Sequence, residues 1–433
     1  MGIFSFRKST SDKFWYRLDN AAKIYPAVSN KFRTSVFRIS VELVDPIKPE
    51  ILQDALDITI REFPYFRSHL KKGFFWYWLE KSESSPVIKP DFKTPCRSFN
   101  LQRRNHLLIR VLARNSNISV EFSHILTDGG GGMQFLTRML YHYGKLCGWN
   151  LPTEYIDPPI GSQEYEDLHK DAYVSNFLKQ YPKPNKISKA FHLTFDKDRH
   201  PNLSVISAEL NSSEIKKAAK EKQVTITEFL AATYLFTMQK FYFAELEKGN
   251  KPKNSILRVQ IPVNLRKLYN YNTIRNFALF IMIEIDPRLG AYSFDEIIQT
   301  VHHYMQLETD RKQIQRIITR NVGGERHPLI RVMPLMIKVP MLYLFYKNSG
   351  PLLYSGVLTN LGMVKLPESY DPYIKSFRFV APPPDPGLKV NSAVVSYKDK
   401  MIFTFGNQSK SKDFEKEFFR FLVEIGIQVK ILN

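Results

Sequence analysis

Apolar and polar residues alternate along Val36–Leu43 (VFRISVEL) and Asn117–Ser123 (NISVEFS). That period of two predicts strands, the second ending at His124. After Pro49 the period lengthens: Ile51, Leu52, Ala55, Leu56, Ile58 and Ile60 recur at helical spacing as far as Phe63, where Pro64 stops the helix. Phe66 to Leu70 and Phe74 to Leu79 read as paired strands around Lys71, Lys72 and Gly73, and His106 to Ala113 reads as the hairpin partner of Asn117–Ser123. Met133, Leu136, Met139, Leu140 and Tyr143 predict a helix starting just after the glycines at 129 to 132. Ahead of the first clear strand, Lys13 to Ala27 packs aromatics beside a short polar segment, as a turn and short helix would.

The pattern breaks from Leu151 to Pro201, where Pro152, Pro158, Pro159, Pro182, Pro184 and Pro201 stand among mixed charges. This is the composition of a crossing linker, with room for a short helix within Gln163 to Leu178. Regular elements resume with a strand at Leu203 to Leu210, a helix at Ser212 to Glu221 capped by Asn211, and a helix from Ile226 to Glu245 whose Thr225 and Glu228 form a capping box. Ser255 to Pro262 and Phe277 to Ile285 (FALFIMIEI) are expected strands, the second apolar nearly throughout and therefore expected to be buried on both faces. A helix over Ser293 to Lys312, strands at Leu353 to Leu358, Phe377 to Val380, Ser392 to Tyr397 and Met401 to Phe405, and a helix over Asp413 to Ile427 complete the chain. Strands and helices mix in both halves, which predicts an α/β protein with mixed sheets and no short repeat.

At 433 residues the length corresponds to about two to three domains, and 32 Phe and 22 Tyr supply large cores. Global disorder is excluded. The excess of 62 Lys+Arg over 42 Asp+Glu leaves a charge of +20, which favours an anionic partner: nucleic acid, an acidic membrane surface or a phosphorylated ligand such as coenzyme A. The basic residues are scattered, with no RNA-binding signature or Cys/His finger, so nucleic acid is set aside. Cys96 and Cys147, far apart in sequence, suit a reducing, cytoplasmic setting and no disulfide scaffold. The N-terminal stretch lacks the apolar core of a secretory signal, and Phe6 breaks a myristoylation motif. The most apolar run, Leu329 to Tyr346, is interrupted by Arg331, Pro334, Lys338 and Pro340. It therefore predicts a buried or substrate-lining helical region instead of a transmembrane segment.

Candidate chemistry concentrates in the turn HILTDGGGG, between the strand ending at His124 and the following helix. A histidine at a strand end can take a proton from a hydroxyl, thiol or amine near neutral pH. A structural histidine capped by a nearby carboxylate fits the same residues equally well. No Gly-Lys-Ser/Thr follows the glycines, which excludes a P-loop, and no third ligand stands near His124 and Asp128 for a metal. By proximity alone, Asp128 could orient the imidazole.

With these residues stand IPVNLR (Ile261 to Arg266), Arg275-Asn276-Phe277 and VLTNLGMVKLP (Val357 to Pro367). Together, and in this order, they resemble the coenzyme-A-dependent acyltransferases of the chloramphenicol-acetyltransferase-like fold, a group that includes alcohol acetyltransferases, plant BAHD enzymes, polyketide-associated acyltransferases and condensation domains. HILTDG is similar to their HxxxDG motif, and the pieces span about residue 20 to about residue 430. Ser123 stands where condensation domains usually carry a second histidine, and the Asp-Phe-Gly-Trp-Gly signature of BAHD enzymes is absent. The resemblance is therefore to the alcohol acetyltransferase-like branch.

The resemblance implies two subdomains, 1–165 with the HxxxDG motif and 203–433, joined by a crossover linker at 166–202, with a tunnel between them. It implies acyl-CoA as co-substrate, with no permanently bound cofactor or metal, and a hydroxyl- or amine-bearing acceptor, small or lipid-like. Donors carried by an acyl carrier protein, and a binding homologue that has lost the reaction, stay open. His124 would be the general base, and Asp128 would pair with Arg266, whose alternative is a solvated charge beside Lys267. Thr359 or Asn360 would steady the thioester oxyanion, although Asn360 could equally fix a turn before Gly362. Gly129, Gly130 and Gly131 would give the pantetheine arm room or serve only the turn, and Asn276 would hold backbone near the substrate.

Overall fold

The computed structural model describes residues 14–30, 33–152, 167–179, 181–182, 187–196, 203–385 and 387–432. In the first part of the chain, β1 (Trp15–Arg17), α1 (Tyr25–Val28), β2 (Val36–Leu43), α2 (Pro49–Glu62), β3 (Ser68–Lys72), β4 (Tyr77–Lys81), β5 (Lys89–Pro90), β6 (Ile109–Arg114), β7 (Asn117–Ser123) and α3 (Gly129–Leu146) follow one another. Of the linker stretch, α4 (Ala172–Ser175) is described, while Pro158, Pro159, Pro184, Pro201 and the start of the helix expected from Gln163 lie outside the described residues. Next come β8 (Ser204–Asn211), α5 (Ser212–Glu221), α6 (Ile226–Glu247), β9 (Leu257–Asn264), α7 (Leu265–Tyr269) and β10 (Ala278–Ile285). Four helices follow, α8 (Phe294–Glu308), α9 (Arg311–Arg326), α10 (Pro328–Val332) and α11 (Leu335–Ser349). The chain then runs through β11 (Gly356–Met363), β12 (Ile374–Val380), β13 (Val390–Tyr397), β14 (Lys400–Asn407), α12 (Asp413–Glu424) and β15 (Val429–Leu432).

The described strands form a seven-stranded mixed sheet in the order β10-β9-β11-β13-β14-β8-β15, a five-stranded sheet β12-β2-β7-β6-β5 and a three-stranded sheet β1-β4-β3. Strand β12, from the second half of the sequence, pairs antiparallel with β2 in the first half's sheet, Phe379 opposite Ile39. All eight residues of β13 are buried. Ala393, Val395 and Tyr397 enter one hydrophobic core with β2, β7 and α3, while Val390 and Val394 enter the other with α6, β9 and β10. One strand with two buried faces thus ties the two cores together.

Strand β11 starts later and runs further than the expected Leu353 to Leu358, and β1, β5 and β15 lie where no strand was expected. Three other differences from the sequence pattern have a plain physical reason. Strand β10 is the edge of its sheet: Leu279, Ile281, Ile283 and Ile285 are buried beneath α8, whereas Phe280 on the other face is 45% exposed. An apolar run alone does not tell an edge strand from a central one. The helix expected over Ser293 to Lys312 is two helices, because Asp310 accepts the Lys312 amide at 2.9 Å and caps a new start. The run Leu329 to Tyr346, expected to be buried or to line a substrate, is α10 and α11, and most of its apolar side chains are exposed. Among the described residues no helix is long and apolar enough to cross a membrane.

Candidate active site

Strand β7 ends at Ser123, and the next amide, that of His124, donates to the Ser35 carbonyl at 3.0 Å. The chain then turns tightly, the Leu126 amide reaching back to the Ser123 carbonyl at 2.8 Å, and Tyr65 donates its hydroxyl to the Leu126 carbonyl at 2.7 Å. Asp128 is the N-cap of α3 and accepts the Gly131 amide at 3.1 Å. The helix therefore starts at Gly129, not after the glycines as their composition suggested. A carboxylate at this position offsets both the open amides and the positive end of the helix.

The His124 imidazole is partly exposed and lies between two rings, stacked on Tyr25 at 5.5 Å between centroids and tilted against Phe37 at 4.7 Å. Burial lowers its pKa from the ordinary 6.5, against the opposing pull of the Asp128 charge and of hydrogen bonds that the ring donates to the Asn276 side chain and the Thr127 backbone. The ring is thus neutral at pH 7 and free to accept a proton.

Asp128 does not spend its oxygens on that ring. Arg266 grips it with two bonds, Nη1 to Oδ2 at 3.0 Å and Nη2 to Oδ1 at 2.8 Å, and the Phe277 amide donates to Oδ2 at 2.8 Å. These donors overcome burial and hold the carboxyl below its usual 3.8. Arg266 reaches this position from α7 and is held there by the carbonyls of Thr273 and Arg275, at 2.8 and 2.7 Å. A single carboxylate therefore joins α3, α7 and the start of β10.

Three of the four glycines belong to this close approach, while Gly132 packs on Phe122 and Phe37. A Cβ on Gly129 would stand 2.4 Å from Leu361 Cδ2, one on Gly130 2.9 Å from Arg266 Nη1, and one on Gly131 2.1 Å from the Ile274 carbonyl oxygen. The room that Gly129, Gly130 and Gly131 make is filled by the second half of the chain. Asn276 donates its amide to the His124 carbonyl at 3.0 Å and to Asp19 at 3.0 Å, so it fixes the backbone beside the imidazole.

Of the two oxyanion candidates, Asn360 is occupied at both ends. Its amide donates to Thr227 Oγ1 at 3.1 Å, and its oxygen accepts the Gly362 amide at 2.8 Å where Gly362 takes a φ of +77°. This is the turn-fixing arrangement. Thr359 lies on the opposite face of β11, in register with Ala393, and shares that face with Leu361, the residue that packs over Gly129.

No protein-family model matches the chain, and no curated protein matches it in sequence. Solved structures do match. TRI101 from Fusarium sporotrichioides, complexed with coenzyme A and T-2, is similar over 97% of this chain and 100% of its own, with a TM-score of 0.65 at 12% identity. The trichothecene 15-O-acetyltransferase TRI3 of the same organism covers 96% of this chain and 95% of its own, with a TM-score of 0.59 at 11% identity. The first condensation domain of the CDA synthetase covers 95% and 96%, with a TM-score of 0.58 at 14% identity. The chain has the chloramphenicol-acetyltransferase-like fold.

Within that chloramphenicol-acetyltransferase-like fold, the structure adds residues that sequence reasoning missed. Asp19 is fully buried, accepts the Ala22 amide at 2.8 Å and lies beside Arg275, yet burial still pushes its pKa up to about 6. Arg275 in turn donates to the His169 carbonyl at 3.1 Å. Tyr25, Phe37 and Asp19 are scattered through the first 40 positions, and no spacing signals that they converge on His124. Among the described residues no group of three or more His, Cys, Asp or Glu side chains is arranged to hold a metal ion.

Proposed function

We propose that the protein is an acyltransferase that moves an acyl group from acyl-CoA to a hydroxyl on a small or lipid-like acceptor, with His124 as the general base. The observation that carries this reading is a neutral, partly exposed imidazole on a strand-end turn, locked in place by the Asp128–Arg266 pair and Asn276. The likeness in fold to TRI101, solved in complex with coenzyme A, and to the trichothecene 15-O-acetyltransferase TRI3 supports it. A ring nitrogen of His124 takes the acceptor O–H proton as the oxygen attacks the thioester carbonyl. The C–S bond of the tetrahedral intermediate then breaks, and the proton passes to the departing sulfur, leaving ester and free thiol. In this reading the Thr359 hydroxyl is the oxyanion donor, a choice supported by the engagement of Asn360 elsewhere. Asp128 and Arg266 are positioning residues in this scheme.

The test follows thiol release from acetyl-CoA and longer acyl-CoAs against a panel of short and long-chain alcohols, with the ester identified by mass spectrometry. Wild-type protein should release thiol in step with ester. His124→Ala should lower turnover by about 10²- to 10⁴-fold while coenzyme A binding, measured by calorimetry, persists. Equal turnover in the two proteins would remove His124 from the reaction.

A further inference from the structure

Helix α11 is built inside out relative to a helix that faces water. Met336, Ile337, Leu344 and Phe345 are 84%, 57%, 56% and 68% exposed, and Leu329 and Val332 of α10 are 68% and 66% exposed. The one lysine inside α11's apolar run, Lys338, points inward and is 1% exposed. Its ammonium donates to the Phe75 carbonyl at 2.9 Å and sits 3.3 Å from the centroid of the Trp76 ring. Water-facing helices bury apolar residues and expose lysines. The β3–β4 hairpin tip continues the same surface: Phe74 is 70% exposed, and its carbonyl accepts the Leu335 amide at 2.8 Å. At its other end α11 is pinned, Tyr346 donating to Asp385 at 2.6 Å while Arg33 holds that carboxylate at 2.5 Å. The apolar face is therefore held in place by hydrogen bonds at both ends.

We infer that α10, α11 and the Phe74–Phe75 tip form a docking surface for an anionic lipid bilayer. Charge selects this occupant. From Arg326 to Pro367 the sequence contains no Asp or Glu, while Arg326, Arg331 and Lys347 are exposed in the same stretch. Beside Phe74 stands exposed Lys72, which lines a cavity of about 800 Å³ together with Arg103 and Arg104 at the foot of the same hairpin. A second copy of the chain, carrying the same +20, is repelled by this surface, whereas anionic headgroups are drawn to it. The 15 residues of α11 extend about 22 Å, less than the roughly 30 Å of a bilayer's hydrocarbon core. The helix therefore lies in the membrane plane with its apolar stripe among the acyl chains.

Docking stands apart from the acyl-transfer reading; its use in catalysis rests on that reading. Helix α11 packs on α1, whose Tyr25 stacks on His124. A docked bilayer therefore lies one short helix away from the imidazole, on a path suited to an acceptor hydroxyl borne by a lipid.

The experiment floats the full chain with vesicles of phosphatidylcholine, with and without phosphatidylglycerol, at physiological salt. Wild-type protein is expected to float with the anionic vesicles and not with the neutral ones. The double variant Met336→Glu/Phe345→Glu should lose that binding at least about ten-fold while keeping its melting temperature and its thiol release with a water-soluble alcohol. Arg331→Gln/Lys347→Gln should weaken binding less and flatten its dependence on salt. Failure of wild-type protein to float, or undiminished flotation of the Glu variant, overturns the inference. So does a wild-type dimer in light scattering that the Glu variant dissociates, because the face would then bind a second copy. Flotation without thiol release from any acceptor would instead overturn the proposed reaction and leave the docking surface standing.

Discussion

The His124 turn and the α10–α11 surface treat charge in opposite ways while using the same interactions. At the turn, Asp128 is 6% exposed and its charge is met by four donor groups, two from Arg266 and one each from the Phe277 and Gly131 amides. In α11, Lys338 is more deeply buried with only a carbonyl and an aromatic face, and the apolar side chains take the solvent side. A charge is buried where donors or acceptors converge on it; polarity alone does not decide. Around Asp128 the turn is closed by protein, and the helix presents to solvent what such a turn would cover.

Breaking the pair at the turn should have the largest effect. Asp128→Asn and Arg266→Gln should each cost about 3–5 kcal/mol, because each leaves a buried partner unmatched. Combined, they should cost clearly less than the sum, as coupled neighbours do. A double-mutant cycle by urea titration measures this, and additive losses would mean that the bidentate grip contributes nothing to stability. At the helix, Lys338→Ala should cost about 1–3 kcal/mol through the lost carbonyl bond and ring contact. Ile337→Ser, one position away on the solvent side, should stay within about 0.5 kcal/mol. Thermal unfolding of the two variants side by side checks the comparison, and equal losses would contradict the inward lysine.

The smallest expected effect is in pH. Because the folded pKa of His124 lies below 6.5, the folded chain binds fewer protons there than the unfolded chain. Stability from this group is present above pH 6.5 and is lost as pH falls through the lowered value. The same shift places the acid limb of kcat/KM below pH 6.5, and a limb above it would mean that the imidazole is not held neutral by burial. Asp128 acts in the same sense at lower pH, its contribution being lost below 3.8. Asp19 acts in the opposite sense: its pKa is raised, so its contribution is present below 3.8 and fades as pH rises to about 6.

Much of the local structure was legible because its causes are local. The period of two in Val36–Leu43 and Asn117–Ser123 matches β2 and β7 residue for residue. The capping box at Thr225 and Glu228 and the Asn211 cap mark helices that begin where the side-chain chemistry says they begin. The glycine run misled in the other direction: glycine weakens a helix in isolation, yet here it opens one, because the second half of the chain presses on it from Leu361, Arg266 and Ile274.

The sequence by itself marked where most of the strands and helices form, since hydrophobic periodicity and capping act between neighbours in the chain, though it did not mark β1, β5 or β15. It also held the residues His124, Asp128, Arg266 and Asn276, without showing how they meet. The tertiary structure decided what depends on partners far apart in sequence. Asp128 faces an arginine 138 positions away. Asn360 is spent on Thr227 and Gly362, and β10 lies at a sheet edge. The most apolar run of the chain lies outside because Trp76 and the Phe75 carbonyl fix the side of α11 that turns inward. Periodicity cannot express such choices, because it records how often an apolar residue returns and not which surface waits for it.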